Sequence, residues 1–156
     1  MPNHSTPTRL REYINTALAA LHGHQRKATT DFVLALIDRK SATQATLARF
    51  FDNFEAAAKR LSRFVHNPRI DLESTVLAHA AWIAARLPRS GTIRVAIDWT
   101  SEDTQHLLVA SLLVGHRAIP LYWKAYEGSA LKDHTHEYER ELMRTLITEV
   151  LIPNPL

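Results

Sequence analysis

The chain has 156 residues, of which 46% are hydrophobic and 22% charged, so it can bury the core of one domain, or of a small helical domain plus part of a second. It contains no cysteine, which excludes disulfides, thiolate metal sites and a cysteine nucleophile. No apolar run approaches the roughly 18 to 20 residues that span a bilayer, and the first twenty residues lack a signal-peptide core, so we expect a cytoplasmic protein without a membrane partner.

Charge is distributed unevenly along the chain. Residues 1–70 contain 11 Lys and Arg against 5 Asp and Glu, whereas residues 71–156 contain 8 against 11. A basic first half followed by an acidic second half predicts two different roles. The basic half is suited to contact with a polyanion.

The chain is predicted to begin with short helices. Pro7 suits a first helical position, and the apolar residues that follow share one helical face: Leu10, Ile14, Ala17, Leu18 and Leu21. Gly23 is typical of a helix end. A second helix is expected from residue 29 or 30, and a third over 42–50 after a Ser41 cap.

The fourth predicted helix has the clearest pattern. Its apolar residues fall within an arc of roughly 120°: Phe54, Ala57, Ala58, Leu61, Phe64 and Val65. Three basic residues lie on nearly the opposite side: Lys59, Arg60 and Arg63. The helix is expected to end at Asn67, because a residue before proline disfavours the helical conformation.

A fifth helix is predicted from an Asp71 cap to Arg86, after which Pro88 and Gly91 mark a change of pattern. We place the domain boundary there. The first domain, 1–88, is expected to be helical and DNA-binding, and the second covers 89–156.

Three strands rich in β-branched and apolar residues are predicted in the second domain, over 92–99, 106–114 and 118–126. Their short connections favour an antiparallel meander. Pro120 cannot donate a ladder hydrogen bond, so the third strand is expected at a sheet edge. A closing helix over 135–151 completes an α+β fold.

Asp98 is the most informative acid, because it lies within an otherwise apolar strand, VAIDWT over 95–100. An unpaired buried carboxylate is costly, so it needs a cation or hydrogen-bond donors. One interpretation is a ligand of a hard divalent cation such as Mg²⁺. The other is that Asp98 lies where the strand ends and caps the turn 100–102.

The segment from Ser41 to His66 has the layout of a helix-turn-helix, with a basic outer stripe on its second helix. Lys59, Arg60 and Arg63 are suited to phosphate contacts, and Arg49 is a further candidate. An amphipathic helix needs charges on its solvent face whatever its partner, so both interpretations stay open.

The histidines do not predict a metal site. The close pairs His22/His24 and His134/His136 are two residues apart, which does not place side chains on one helical face. No third ligand has zinc-site spacing, and no Gly-rich phosphate loop, GxSxG or HExxH motif occurs. The three tryptophans are expected to be core anchors.

Several segments in a fixed order resemble bacterial insertion-sequence transposases of the DDE type. KRLSRFVHNPRIDL over 59–72 resembles the junction that precedes the catalytic domain of that family. AIDWT over 96–100, LLVASL over 107–112 and AIPLYW over 118–123 resemble the opening of the catalytic domain itself.

This resemblance implies a fold and a function. In that family the catalytic domain is ribonuclease H-like, and two Asp and one Glu hold two Mg²⁺ or Mn²⁺ ions for attack on a DNA phosphodiester. Asp98 would be the first catalytic and metal-binding carboxylate. The preceding helices would bind the terminal inverted repeats of the element, and the DNA-binding candidates are Arg49, Lys59, Arg60, Arg63 and Arg69.

The sequence departs from the family after the closing helix. No residue matches the second Asp, and four glutamates lie on the wrong element to replace the third carboxylate: Glu137, Glu139, Glu141 and Glu149. One carboxylate cannot hold two metals, so we expect an N-terminal part of a transposase that is inactive alone and binds no metal stably. The Asp98 strand would then be an open sheet edge, which predicts marginal stability for 92–156.

Two other functions stay open. The chain could be a stand-alone DNA-binding regulator derived from a transposase, or a small α+β protein with an unrelated partner. A homo-oligomer is compatible with each of them.

Overall fold

The computed structural model describes residues 5–87 and 92–152 and shows an α+β protein, in which helices precede a three-stranded antiparallel sheet and further helices follow it. The chain divides into two compact units, Met1–Thr75 and Val76–Leu156, called here the helical unit and the sheet unit. The predicted boundary at Pro88 and Gly91 lies outside the described residues. The domain limits 1–88 and 89–156 therefore stay a prediction.

The first helix among the described residues is α1 (Ser5–Ala17), and helix α2 (Gly23–Arg39) follows it. The predicted apolar face of α1 is buried through Ile14 and Ala17, and Leu18 and Leu21 are buried just after the helix. These side chains form part of the interior of the helical unit.

The prediction that Gly23 ends a helix is wrong, because Gly23 is the first residue of α2. The backbone N–H of His22, the cap residue, donates to Gln25 Oε1 over 2.7 Å. A side chain from the first turn of the helix thus provides a hydrogen-bond acceptor for the cap residue. At its other end, α2 stops where Lys40 adopts a left-handed backbone with φ 52°.

Helix α3 (Gln44–Ala48) and helix α4 (Phe54–Val65) complete the interior of the helical unit. Asn53 starts α4 as an N-cap, since its side chain accepts from the backbone N–H of Ala56. One cluster of the core contains four buried residues, Phe32, Ala35, Leu47 and Leu61, against which Ala28, Phe50, Phe51 and Phe64 pack.

Helix α4 ends at Val65, two residues before the predicted end at Asn67, and its apolar face is not buried throughout. Phe54 is 44% exposed and Val65 is 67% exposed, whereas Ala57 and Leu61 are buried. The two exposed residues are the first and last of the helix. Helical periodicity predicts the direction of a side chain, but it does not show how far along the helix the core extends.

Helix α5 (Leu72–Ala84) begins after Asp71, whose carboxylate accepts from the backbone N–H of Ser74. This confirms the predicted cap. Val76, Ala80 and Ala84 are buried in the core of the sheet unit, whereas Leu72, the first residue of the helix, is 65% exposed.

The sheet consists of β1 (Val95–Glu102), β2 (Gln105–Val114) and β3 (Arg117–Glu127) in the order β1-β2-β3. Both pairs are antiparallel, so the predicted meander is confirmed. Because β2 is central, β1 and β3 are the edges of the described sheet.

A β-bulge interrupts the pairing of β2 with β3 near Pro120. Ala110 pairs with Tyr122 and Ser111 pairs with Pro120, which leaves Leu121 as an extra residue on β3. Proline is tolerated at bulges and edge strands because it has no N–H for the ladder. The position of β3 at an edge was predicted correctly, and the bulge was not predicted.

After the sheet come a short helix, α6 (Gly128–Leu131), and helix α7 (Thr135–Thr145), which continues as a π-helical segment, Leu146–Leu151. The extent of the predicted closing helix is confirmed. Its buried residues recur every four positions, at Leu142, Leu146 and Val150.

The core of the sheet unit joins the strands to α5 and α7. Leu108, Ala110 and Leu112 of β2 are buried together with residues of both helices. Among the residues described, the longest helix is α2 with 17 residues, and none is long and apolar enough to cross a membrane.

Candidate functional site

All three side chains of the basic stripe of α4 are exposed, Lys59, Arg60 and Arg63, and Arg60 also packs against its own unit. The Arg60 guanidinium lies 4.8 Å from the ring centre of Phe51 and 5.9 Å from that of Phe32. A cation over an aromatic face is attracted to the ring. Arg60 therefore closes one side of the aromatic core and is only partly available to a partner.

An acidic side chain of α2 links Arg60 to a second cation. Asp31 Oδ2 lies 3.0 Å from Lys27 Nζ and 4.0 Å from Arg60 Nη2. Solvent screens both pairs, so they contribute little to stability. They do hold two cationic groups on the same side of the helical unit.

Arg49 and Arg69 are exposed at turns on either side of α4. Arg49 follows the last residue of α3, and its carbonyl accepts from Arg39 Nη2 over 3.0 Å. The backbone N–H of Arg69 donates to Asn67 Oδ1 over 3.0 Å, which shapes the loop after α4. Both guanidinium groups are thus presented by ordered turns.

The segment predicted as a helix-turn-helix contains two helices of very different length. Helix α3 has 5 residues, and α4 has 12. The order of a short helix, a polar turn and a basic amphipathic helix agrees with the prediction. The assignment to a helix-turn-helix DNA-binding motif stays a prediction.

Asp98 lies within β1 and is exposed to solvent. Since β1 continues to Glu102, the alternative that Asp98 ends the strand and caps a turn at 100–102 is wrong. The turn comes later, where Asp103 has a left-handed backbone with φ 50°. Asp98 pairs across the sheet with Val109.

The residues around Asp98 do not make a two-metal site. Within 5–87 and 92–152, no three His, Cys, Asp or Glu side chains lie close enough to hold a metal ion together. A divalent cation needs several oxygen ligands, and one exposed carboxylate does not supply them. We therefore derive no reaction step through a metal from this chain.

The neighbour of Asp98, Trp99, connects β1 to α7. Its Nε1 donates to Glu139 Oε1 over 2.9 Å, and its ring centre lies 5.7 Å from that of Tyr126. The hydrogen bond from Trp99 is the main cause that lowers the pKa of Glu139, and His136 contributes less. Trp99 also packs against the core, which agrees with its prediction as an anchor.

The close histidine pairs form local contacts. His134 Nδ1 lies 2.8 Å from Glu137 Oε2, and His136 Nδ1 lies 3.2 Å from Glu139 Oε2. The rings of His22 and His24 stack with centres 5.8 Å apart. In each case the partner lies two or three residues away in sequence.

Sequence reasoning missed two residues of the helical unit, Gln25 and Asp31. Asp31 lies 29 positions before Arg60, so their proximity follows only from the packing of α2 against α4. Gln25 could have been found from its spacing, since it lies three residues after the cap residue His22.

No protein-family model, curated protein or solved structure matches the chain significantly. The resemblance to DDE-type transposases therefore depends on the segments over 59–72 and 96–123 alone. It stays a prediction.

Proposed function

We propose that the chain is part of a DDE-type insertion-sequence transposase of the bacterial cytoplasm, and that its helical unit binds DNA. The sheet unit then contains the first strands of a ribonuclease H-like catalytic domain. The observation that carries this proposal concerns the three segments that resemble the catalytic domain of the transposase family. They occur in the same order as the three strands of the sheet.

The resembling segments coincide with the three strands. AIDWT lies on β1, LLVASL on β2 and AIPLYW on β3, and these strands form an antiparallel meander followed by a helix that packs on the sheet. A ribonuclease H-like domain begins with the same arrangement. This shared order of strands and helix supports the proposal.

The distribution of charge supports the DNA-binding role. Residues 1–75 contain 11 Lys and Arg against 7 Asp and Glu. Four of the five DNA-binding candidates expose their side chains and have no aromatic partner among the described residues, namely Arg49, Lys59, Arg63 and Arg69. Exposed cations near one helix and its flanking turns are suited to neutralising DNA phosphates.

Asp98 is the residue through which the sheet unit would take part in catalysis. An exposed mid-strand carboxylate on β1 agrees with the first member of an Asp-Asp-Glu set. The other two members have no match in the 156 residues, so we expect no DNA cleavage by this chain alone.

A salt titration tests the DNA-binding role. We expect the purified chain to bind duplex DNA at low salt, and its affinity to fall linearly with salt on a logarithmic plot. Fluorescence anisotropy with a labelled duplex measures both. If no binding occurs at 50 mM salt, the DNA-binding role is wrong and an unrelated partner is favoured.

A stand-alone DNA-binding regulator is the second candidate, favoured by the absence of a complete metal site among the described residues. Incubation with supercoiled element DNA and Mg²⁺ or Mn²⁺ tests whether the chain cleaves DNA, and both functions predict binding without nicking. Specific nicking that is lost in Asp98→Ala would exclude the regulator and would also contradict the inactivity expected of this chain alone.

A further inference from the structure

The two edges of the described sheet differ in how well they are protected from further pairing. On β3 the bulge near Pro120 interrupts the ladder, and the carbonyl of Pro120 accepts a hydrogen bond from His79 Nε2 over 3.0 Å. Strand β1, with the sequence VAIDWTSE, contains no Pro, Gly, Lys or Arg, and it pairs with β2 without a bulge. Such a regular edge is a template for another strand.

The backbone groups that face the open side of β1 follow from its pairing with β2. The backbone N–H of Leu113 donates to the carbonyl of Arg94 over 2.9 Å, so Arg94 and every second residue after it turn their N–H and C=O groups toward β2. The alternate residues Val95, Ile97 and Trp99 therefore direct these groups away from β2. The described sheet has no strand on that side.

The side chains of this edge alternate between the two faces of the sheet. Ile97 pairs with the buried Ala110, so Ile97 and Trp99 lie on the face that carries the core. Ile97 is 37% exposed, which leaves an apolar side chain partly uncovered. Arg94 and Asp98 lie on the opposite face, and both are exposed. The edge therefore presents one cation and one anion four residues apart.

We propose that β1 pairs with β1 of a second copy of this chain, antiparallel and with two-fold symmetry, so that two three-stranded sheets become one. With Ala96 on the two-fold axis, Arg94 of each copy lies opposite Asp98 of the other. Two opposite-charge pairs then stabilise the interface. The same register pairs Val95 with Ile97 on the core face, and the pairing extends over 93–99. Because the β3 edge is protected, the assembly closes at two copies.

The two neighbouring registers lack this charge complementarity. With Asp98 on the axis, the two Asp98 carboxylates lie opposite each other, and like charges in that position are destabilising. With Ile97 on the axis, Asp98 lies opposite the apolar Ala96 and Arg94 lies opposite Thr100, so no opposite charges meet. The inference depends on the sheet unit alone and not on the proposed function.

Sedimentation equilibrium of the full chain over a range of concentrations measures the dimer, and exchange of charges tests its register. Asp98→Arg places like charges opposite each other in both pairs and is expected to weaken dimerisation about tenfold. The double variant Arg94→Asp, Asp98→Arg restores opposite charges and is expected to restore dimerisation. Glu102→Arg is the matched control, because it makes the same change of charge on β1 outside the paired segment. Its effect should be less than twofold.

Hydrogen exchange of the ¹⁵N-labelled parent chain locates the interface without any substitution. In the dimer the outward N–H groups of Val95 and Ile97 are hydrogen-bonded, so their exchange should slow as the concentration rises through the range of dimerisation. A dimer in which these two amides exchange as fast as in the monomer would overturn the proposal, since the second copy would then bind elsewhere.

Three further results would overturn the proposal. The first is a monomer at every concentration, or an open series of larger species. The second is equal weakening by Asp98→Arg and Glu102→Arg, since net charge would then explain the effect. The third is failure of the folded double variant, checked by far-UV circular dichroism, to restore dimerisation. A chain that dimerises through β1 but binds no DNA would retain this inference and exclude the proposed function.

Discussion

The helical unit and the sheet unit differ in how they place charge relative to their cores. In the helical unit a cation, Arg60, lies over the aromatic rings of Phe32 and Phe51 at the border of the core. In the sheet unit the central strand is buried through aliphatic side chains, such as Leu108 and Leu112. A charged residue thus packs against the core of the first unit, whereas the cation–aromatic pair of the sheet unit, in which the Arg86 guanidinium lies 3.5 Å from the ring centre of Trp82, is outside the buried cluster.

The same contrast holds for the surface. Residues 1–75 contain four more basic than acidic residues, whereas residues 76–156 contain 8 Lys and Arg against 9 Asp and Glu. The acid of greatest interest in the sheet unit, Asp98, is exposed on an edge strand. From this difference we expect the helical unit to make the contacts with a polyanion, whereas the stability of the sheet unit depends on the burial of apolar side chains.

The largest effect is expected from truncating the core of the sheet unit. Leu108 is fully buried on β2, so Leu108→Ala should lower the free energy of unfolding by about 2 to 5 kcal/mol. Tryptophan fluorescence during urea unfolding measures this, because the three tryptophans lie in the sheet unit. Leu113→Ala on the same strand is the control, since Leu113 is 43% exposed and should have a much smaller effect. Equal effects would show that β2 is not buried as described.

A smaller effect is expected from the cation that covers the aromatic core. Arg60→Ala should destabilise the helical unit by about 0.5 to 1 kcal/mol, because the attraction to Phe51 and Phe32 is lost. Lys59→Ala should stay within about 0.5 kcal/mol of the parent. Urea unfolding followed by far-UV circular dichroism measures both. If the two variants are indistinguishable, Arg60 has no structural role.

The smallest effect concerns pH and the hydrogen bond between β1 and α7. The pKa of Glu139 is lowered mainly by the bond from Trp99, so the charged carboxylate stabilises the fold above its unfolded-state pKa of about 4.3. This stabilisation is lost as the pH falls through the lower, folded pKa. Trp99→Phe should raise the pKa of Glu139, as measured by ¹³C NMR of the carboxyl group. Trp123→Phe should leave it unchanged, and a pKa that rises equally in both variants would exclude the assigned bond.

Local patterns predicted the elements whose ends are set by neighbouring residues. The end of helix α4 was predicted to within two residues of Val65, because Pro68 prevents continuation of the helix, and Asn53 caps its observed start. The start of α2 was missed because a histidine occupies the cap position, so the sequence does not show the usual signal. The π-helical segment after α7 was not predicted either.

The candidate sites were only partly predictable for a different reason. The exposed cations of α4 could be found from periodicity, because solvent exposure follows from the helical face. The contacts of Arg60 with Phe32, Phe51 and Asp31 join residues far apart in sequence. The burial of Gln25 likewise depends on packing that no local pattern reveals.

The most direct test of the account compares two triple variants of equal charge. The first replaces Arg49, Lys59 and Arg69 with Gln, and the second replaces the exposed Arg117, Lys132 and Arg144 of the sheet unit. We expect the first to reduce the salt slope of duplex binding by about 2 to 3 and the second to leave it nearly unchanged. If both variants reduce the slope equally, net charge alone explains binding, and the helical unit is not the DNA-binding surface.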